Sequence, residues 1–399
     1  MTPITCIEDL RQLAEQRVPR AFFQYVDSGS SAEETFRAHR ADMERVKLRQ
    51  RVLVNVDTRD LSTTIVGQDA SLPIALAPIG LCGMQHGNGE ILAAEAANEA
   101  GIPFCMSTMS ICSMEQVAEA TKKPFWFQVY VIRDRGFIAD LIARAKAANC
   151  SALVLTVDLQ VLGQRHRDIK NGMTVPPQIK LANVLDIMSK PRWAMSILNA
   201  KSKTFGNLAG HVKGMEGVNS LAQWTNSQFD PTLSWQDVDW IRSLWPGKLI
   251  VKGILDIEDA KLATKCGADA IVVSNHGGRQ LDGAPSSISM LPKIADAVGS
   301  DIEVMFDGGI RSGQDLFRAL ALGAKSCLIG RAYIYGLGAL GKPGVKTAID
   351  IIRKELDITM ALTGVTRIAD IDRRTLATET LPEQAHVLEL AETKKAAAR

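Results

Sequence analysis

The chain has 399 residues, of which 46% are hydrophobic and 23% are charged, a balance that excludes wholesale disorder. Its net charge of +2 argues against nucleic acid as the main partner. The seven cysteines form no Cys-x-x-Cys pair, so we expect reduced thiols and no metal centre. The chain has no secretory signal pattern and no run of about 18 apolar residues, which predicts a cytoplasmic protein without a membrane-spanning helix.

Short apolar runs alternate with helical patterns between residues 71 and 364. Near-continuous apolar runs are typical of parallel strands that are buried on both faces. The eight runs are Leu72–Ala77, Pro103–Ser107, Phe125–Tyr130, Ala152–Asp158, Leu249–Gly253, Ala270–Asn275, Glu303–Gly308 and Ser326–Arg331. Eight strands that alternate with helices predict a (β/α)8 TIM barrel. The competing fold, an open doubly wound sheet, usually has a Gly-x-Gly-x-x-Gly turn after its first strand, and residues 78–83 lack it.

Three segments lie outside this repeat within what we take to be one domain over residues 1–399. Residues 1–70 contain a helical pattern and predict an N-terminal helical cap, whereas residues 365–399 predict a frayed C-terminal tail. Roughly 90 residues separate Asp158 from Leu249, so we expect a long insertion after the fourth strand, over residues 170–233. Insertions of this length are usually functional or disordered.

The insertion combines basic charge with an apolar helical face. Its basic stretch, residues 178–208, contains five lysines or arginines and a single anion, Asp186. One helical face is apolar, and Trp193 follows it; the residues on this face are Leu181, Val184, Leu185 and Met188. This composition favours contact with a membrane surface. The alternative is a helix that packs its apolar face on the barrel or on a neighbouring subunit.

Polar residues stand at nearly every predicted strand end, which is where barrel enzymes carry their reactive groups. On the seventh and eighth strands, Gly308, Gly309 and Gly330 leave backbone N–H groups open to an anion. Arg311 and Arg331 follow these glycines and add bidentate donors. The pattern predicts a phosphate site, although Asp307-Gly308-Gly309 could also be a tight turn alone.

His276 is the candidate acid–base group, because it follows a buried strand and precedes two glycines and Arg279. Asp158, at the end of the fourth strand, is placed to orient it across the barrel mouth. Arg165 and Arg279 together can hold a small carboxylate. Lys252 ends the fifth strand, where a buried cation needs an anionic or electron-rich partner.

The run from Ser274 to Asp282, Ser-Asn-His-Gly-Gly-Arg-Gln-Leu-Asp, resembles the signature of FMN-dependent α-hydroxy acid dehydrogenases and oxidases. Further matching stretches lie at 127–130, 155–158, 251–254, 307–311 and 329–331, so that the similarity covers nearly the whole chain. Residues 77–84 and 130–136 most resemble the bacterial respiratory branch of this family, which oxidises L-lactate.

This resemblance implies a role for each matched position. His276 would take a proton from the substrate, Asp158 would stabilise the resulting imidazolium, and Lys252 would stabilise the reduced flavin. The residues that would bind the substrate are Tyr25, Tyr130, Arg165 and Arg279. Those that would line or hold FMN, besides Lys252, are Pro78, Ser107, Gln128, Thr156, Ser274, Asp307, Gly309, Arg311, Gly330 and Arg331.

The resemblance further implies oxidation of L-lactate, an L-2-hydroxy acid, to pyruvate, with electrons passing to a quinone or cytochrome. It also implies a homo-oligomer, a tetramer in related barrels, and peripheral contact with the inner face of the plasma membrane. Gly80 resembles the branch that reacts poorly with oxygen, while Met109 leaves the preferred side chain of the acid open. The alternatives are a soluble oxidase that makes hydrogen peroxide and a mandelate-type dehydrogenase. A colourless barrel isomerase or aldolase and a flavin-binding scaffold without activity are more distant possibilities.

Overall fold

The computed structural model describes residues 3–173, 181–209 and 228–377. Eight parallel strands form the barrel, and the bridge between Leu76 and Phe104 joins its first strand to its second. A two-stranded antiparallel hairpin precedes them. The hairpin strands are β1 (Thr63–Ile65) and β2 (Gln68–Ala70), and the barrel strands are β3 (Ile74–Leu76), β4 (Cys105–Ser107), β5 (Trp126–Tyr130), β6 (Ala152–Thr156), β7 (Lys248–Ile254), β8 (Ala270–Val273), β9 (Glu303–Asp307) and β10 (Ser326–Ile329). All eight predicted strands are therefore confirmed.

The barrel has two apolar layers because successive side chains of a strand point to opposite faces. One set points inward and fills the barrel interior, and most of its strand residues are small or β-branched, such as Ala75, Ala152 and Val272. The other set, which includes Leu153 and Ile271, points outward and packs against the surrounding helices. Burial on both faces explains why the strands read as continuous apolar runs.

Helices follow the strands and surround them. They are α1 (Ile7–Arg17), α2 (Arg20–Asp27), α3 (Glu34–Arg45), α4 (Gly89–Ala100), α5 (Met114–Thr121), α6 (Arg135–Ala147), α7 (His166–Lys170), α8 (Leu181–Met188), α9 (Pro191–Leu198), α10 (Trp235–Leu244), α11 (Ile257–Lys265), α12 (Ser287–Val298), α13 (Gly313–Ala321), α14 (Arg331–Leu340) and α15 (Lys342–Thr363). Short 3-10 turns lie at Cys82–Met84, Ile368–Asp370 and Arg373–Thr375.

Helix α5 begins with a capping box. The Ser113 hydroxyl accepts a hydrogen bond from the Gln116 N–H, and the Gln116 side-chain oxygen accepts one from the Ser113 N–H.

The N-terminal cap is helical only in its first part. Helices α1 to α3 cover the barrel, but β1 and β2 form a hairpin where the sequence pattern predicts a helical cap. Ile65, Val66 and Ala70 belong to the interior apolar cluster, and the Gln68 amide oxygen accepts a 3.3 Å hydrogen bond from the Trp126 indole. The hairpin therefore packs against the interior of the barrel.

The insertion carries α7, α8 and α9 in its described part. Trp193 packs inward, because its indole donates to the Met84 carbonyl at 2.8 Å and its ring stacks on Phe22 at 5.4 Å. The apolar face of α8 instead points away from the barrel, with Leu185 60% and Met188 73% exposed. The alternative that this face packs on the barrel is therefore wrong. Within the described residues, no helix is both long and apolar enough to cross a membrane.

Candidate active site

A cavity of about 530 Å³ opens at the carboxyl ends of the barrel strands. Its wall includes α2 of the N-terminal cap, and two phenylalanines that flank the insertion's undescribed part, Phe205 and Phe229, also line it. Most of the predicted site residues meet here, namely Tyr25, Pro78, Tyr130, Arg165, Lys252, His276, Arg279, Asp307, Gly309, Arg311, Gly330 and Arg331. Polar side chains that lie at or after the ends of six strands, β5 to β10, therefore share one space, as the fold predicts.

His276 and Asp158 form a buried pair across the barrel mouth. The His276 Nδ1 lies 2.9 Å from the Asp158 Oδ1, and a carboxylate can only accept, so Nδ1 carries the proton and Nε2 keeps a lone pair. Burial lowers the pKa of His276 below its ordinary 6.5, although Asp158 opposes this effect. Burial would raise the pKa of Asp158, but His276 and Lys252 outweigh it and lower that pKa. The pair is thus a neutral imidazole supported by an anion at neutral pH.

Two unusual backbone conformations make this pair possible. His276 has a φ of +58°, and its N–H donates to the Ser274 hydroxyl at 3.1 Å. Gly253 has a φ of +106°, and a Cβ there would lie 2.7 Å from the carboxyl carbon of Asp158. Glycine at this position therefore gives Asp158 its space. In the sequence, Gly253 is apparent only as part of the matching stretch at residues 251–254.

Two arginines lie on the ring of Tyr25, which α2 supplies. The guanidinium carbon of Arg279 is 4.8 Å from the ring centroid and that of Arg165 is 6.0 Å away. Arg279 donates to the carbonyls of Tyr25 and Ser28, and burial lowers its pKa to about 10. Arg165 contacts the Asp168 carboxylate at 3.6 Å through its Nη1, and its buried Nε is unpartnered. Unsatisfied guanidinium donors that face a cavity suit a carboxylate ligand.

Tyr130 completes the polar wall near these arginines, since it also lines the cavity. Burial and the charge of Asp158 raise the pKa of its hydroxyl. The hydroxyl is therefore protonated at neutral pH and available as a hydrogen-bond donor.

Lys252 lies on the inner face of β7 and is almost fully buried. Its Nζ contacts the Asp307 Oδ2 at 2.9 Å and the Ser274 hydroxyl at 2.9 Å. Burial alone would lower the pKa of Lys252, but Asp307 and Asp158 raise it above its ordinary value. The lysine is therefore a fixed positive charge at the bottom of the cavity.

Two neighbouring strands carry buried polar atoms that have no hydrogen-bond partner in the described chain. The Gln128 amide oxygen accepts from the Ser107 hydroxyl at 3.1 Å, which leaves the Gln128 Nε2 unpartnered. The Thr156 Oγ1 on β6 is likewise unpartnered. Because buried polar groups are normally paired, these atoms indicate a missing polar ligand.

The predicted phosphate position lies between β9 and the start of α14. Gly309 has a φ of +91°, and a Cβ on Gly330 would find its nearest atoms 3.8 Å away. Arg311 and the N-terminus of α14 border the same space, which is a suitable anion site. Arg331 differs from the expectation, because its three nitrogens donate to the carbonyls of Val26, Ser28 and Gly277.

The family model described as FMN-dependent dehydrogenase matches residues 14–378. The chain belongs to this family. Membership agrees with the strand-end residues, since the unpaired Gln128 and Thr156 atoms, the Lys252 cation and the Gly309–Gly330 space suit a planar polar ring and a phosphate.

Curated relatives of this FMN-dependent dehydrogenase match almost end to end. An L-lactate dehydrogenase of Caulobacter sp. (strain K31) is 48% identical, and the match covers 94% of this chain and 98% of the relative. An L-lactate dehydrogenase of Haemophilus influenzae (strain PittEE) is 47% identical, with 92% and 97% coverage.

Solved structures are similar at lower identity. The monotopic membrane protein (S)-mandelate dehydrogenase has a TM-score of 0.90 and 34% identity, with 94% of this chain and 100% of that chain covered. A mandelate oxidase has a TM-score of 0.79 and 34% identity, with 94% and 98% coverage.

Proposed function

We propose that this FMN-dependent dehydrogenase oxidises L-lactate to pyruvate. One observation carries the proposal: the Arg165 guanidinium, with its unpartnered Nε, lies beside Arg279 and Tyr25 in the cavity that His276 of the His276–Asp158 pair also lines. A small 2-hydroxy acid needs both a carboxylate clamp and a base within reach of its α-carbon and hydroxyl. The names of the 47–48% identical relatives support lactate as the acid.

Each group has a separate task in the proposed reaction. Arg165 and Arg279 bind the substrate carboxylate, and the hydroxyls of Tyr25 and Tyr130 orient the acid. His276 Nε2 takes a proton from the substrate, from the α-carbon in a carbanion route or from the hydroxyl in a hydride route. Asp158 then stabilises the imidazolium, as a carboxylate does for a histidine base.

The strand ends would hold the cofactor. FMN, when bound, supplies the two-electron acceptor that the oxidation requires. Lys252 would place its positive charge beside the ring, and Gln128 and Thr156 would pair their free polar atoms with it. Pro78, Ser107 and Ser274 would complete the wall. Gly309, Gly330 and Arg311 would bind the phosphate, while Arg331 holds the N-terminal cap over it.

The visible spectrum of the purified protein under anaerobic conditions tests this proposal. We expect a yellow flavin band that bleaches on addition of L-lactate. A band that bleaches only with L-mandelate would contradict lactate as the substrate and favour the mandelate-type alternative, which the structural neighbours represent. A colourless protein that does not take up FMN would overturn the flavin site itself.

We further propose that a quinone or cytochrome, rather than oxygen, accepts the electrons. Gly80 supports this, because glycine at this position resembles the branch of the family that reacts poorly with oxygen, and Gly80 lines the cavity. Turnover of L-lactate should be fast with a short-chain quinone and slow with oxygen alone. Steady hydrogen peroxide production at a comparable rate would refute the proposed acceptor class.

Membrane contact through the insertion is the third part of the proposal. The exposed face of α8, together with Met195 and Leu198 of α9, forms an apolar surface beside the cavity mouth. Lys190, Arg192 and Lys201 flank it, and basic residues around an apolar face favour anionic lipid surfaces. The likeness to a monotopic membrane protein also supports peripheral contact.

Sedimentation with vesicles that contain phosphatidylglycerol tests this contact. The double variant Leu185→Asp/Met188→Asp should lose most of its vesicle binding, because it places two charges on the apolar surface. The control variant Leu53→Asp/Leu362→Asp changes two leucines outside the insertion that are also exposed, Leu53 at 104% and Leu362 at 57%, and it should bind as the wild type does. Equal binding by all three proteins would refute contact through α8.

The family resemblance also leads us to propose a homo-oligomer, with four copies as the expected number. Light scattering after size-exclusion chromatography measures the mass directly. A single species of the 43.3 kDa monomer at micromolar concentration would contradict this expectation.

A further inference from the structure

Asp168 lies in the wall of the active-site cavity, where the Arg165 guanidinium and the Ser28 hydroxyl are the groups that interact with its carboxylate. It is on the first turn of α7, and only 7% of it is exposed. Its nearest described cation is the Arg165 Nη1, 3.6 Å from the Asp168 Oδ2, and its Oδ1 accepts no hydrogen bond from the described residues. A buried carboxylate that is so poorly compensated is costly, and it is uncommon away from functional sites.

The ion pair between Arg165 and Asp168 is long for a charge-assisted contact, as is the 3.6 Å pair of Arg167 with Asp27. Charge-assisted hydrogen bonds between these groups are usually 2.7–2.9 Å long, and Arg167, two positions further on, meets Glu33 at 2.7 Å. Arg165 and Asp168 both line the cavity, so either one could turn to a ligand. Burial raises the pKa of Asp168 even though Arg279 and Arg165 lower it, which agrees with incomplete compensation.

Asp168 belongs to a group of charges that balances before any carboxylate is bound. Arg165 and Arg279 contribute two positive charges. Asp168 and Asp158 contribute two negative charges, because His276 beside Asp158 is neutral, and Asp307 is paired with Lys252. A substrate carboxylate therefore adds a negative charge to a balanced group, and Asp168 opposes its binding at Arg165.

We infer that Asp168 is a positioning residue that competes with the ligand carboxylate for Arg165 and thereby limits the affinity for anionic ligands. The inference rests on the proposed function, since it requires the carboxylate to bind at Arg165 and Arg279. The effect applies to pyruvate as well as to L-lactate, because both acids carry a carboxylate. Competition from Asp168 weakens the binding of pyruvate, the product, and leaves His276 unchanged.

The variant Asp168→Asn tests the inference, since it removes the charge and keeps the shape and a carbonyl acceptor for Arg165. In the FMN-loaded full chain, the Kd of pyruvate and the KM of L-lactate should each fall about tenfold. The affinity for lactamide, which has no carboxylate, should stay within about twofold. The surface variant Asp140→Asn, which makes the same charge change on α6, should leave all three values unchanged.

Other outcomes separate a structural role from the inferred one. Weaker or unchanged binding of pyruvate by a folded Asp168→Asn protein would overturn the inference, and so would equal tightening of pyruvate and lactamide. If Asp168→Asn fails to fold, Asp168→Glu serves instead, because it moves the charge and should change pyruvate affinity while lactamide affinity stays constant. Failure of L-lactate to bleach the wild-type flavin would refute the proposed function, a result that is distinct from any of these.

Discussion

Replacement of Asp158 by Asn is the sharpest test of the catalytic pair. Asn keeps the size of Asp and retains an oxygen that can accept from the His276 Nδ1, so the 2.9 Å hydrogen bond can persist. What is lost is the negative charge that stabilises the imidazolium after proton transfer. The variant therefore isolates electrostatic stabilisation from positioning.

The size of the effect follows from the distance between the charges. Two unit charges about 4 Å apart at an effective dielectric constant of about 20 interact by about 4 kcal/mol. Each 1.36 kcal/mol in the barrier changes the rate about tenfold, so full loss would slow the reaction about 10³-fold. Because the hydrogen bond to the His276 Nδ1 can persist in the variant, part of the stabilisation remains, and we expect a decrease of about 10² to 10³-fold.

Anaerobic stopped-flow measurement of flavin bleaching at saturating L-lactate gives this rate directly. The FMN content and visible spectrum of Asp158→Asn should match those of the wild type, which shows that the site is intact. A rate within about fivefold of the wild type would refute the stabilising role of Asp158. A protein without FMN would instead show that the charge supports the fold of the site.

Three further predictions concern the same cavity. The rate of flavin reduction in the wild type should fall with decreasing pH as His276 is protonated, and the inflection should lie below the ordinary 6.5 because burial lowers this pKa; an inflection well above 6.5 would contradict this. Gly253→Ala should slow flavin reduction at least tenfold while pyruvate affinity persists, because the new Cβ would lie 2.7 Å from the Asp158 carboxyl carbon; an unchanged rate would exclude the clash. Lys252→Met should destabilise the protein by about 3–5 kcal/mol in urea unfolding, since it leaves Asp307 buried and unpaired, and Lys252→Met/Asp307→Leu should recover part of this loss.

The barrel and the residue types of its rim could be predicted from the sequence. Apolar runs such as Ala152–Thr156 are local signals, because a strand buried on both faces needs apolar residues at every position. In a parallel barrel all strand ends with one polarity meet at one rim. His276 and Asp158, 118 positions apart, could therefore be placed at the same rim without knowledge of any contact.

The hairpin β1–β2 and the outward face of α8 could not be predicted in the same way. The hairpin strands have three residues each, too few for a clear alternating pattern, and their burial depends on the barrel interior that they contact. The apolar face of α8 is compatible with either packing or exposure, because its pattern is identical in both cases. Only the position of the barrel beneath it decides between them.

The partners of the arginines also depend on tertiary structure. The sequence placed Arg165, Arg279 and Arg331 at the rim and indicated that anions bind there. Which donors remain free depends on the carbonyls of Tyr25, Val26 and Ser28, which the N-terminal cap brings to the rim. The periodicity of apolar residues is a local property, and it determines the helices and strands. The carbonyls that pair with Arg279 and Arg331 in the N-terminal cap lie more than 250 positions away along the chain, so these pairs are determined only when the chain has folded.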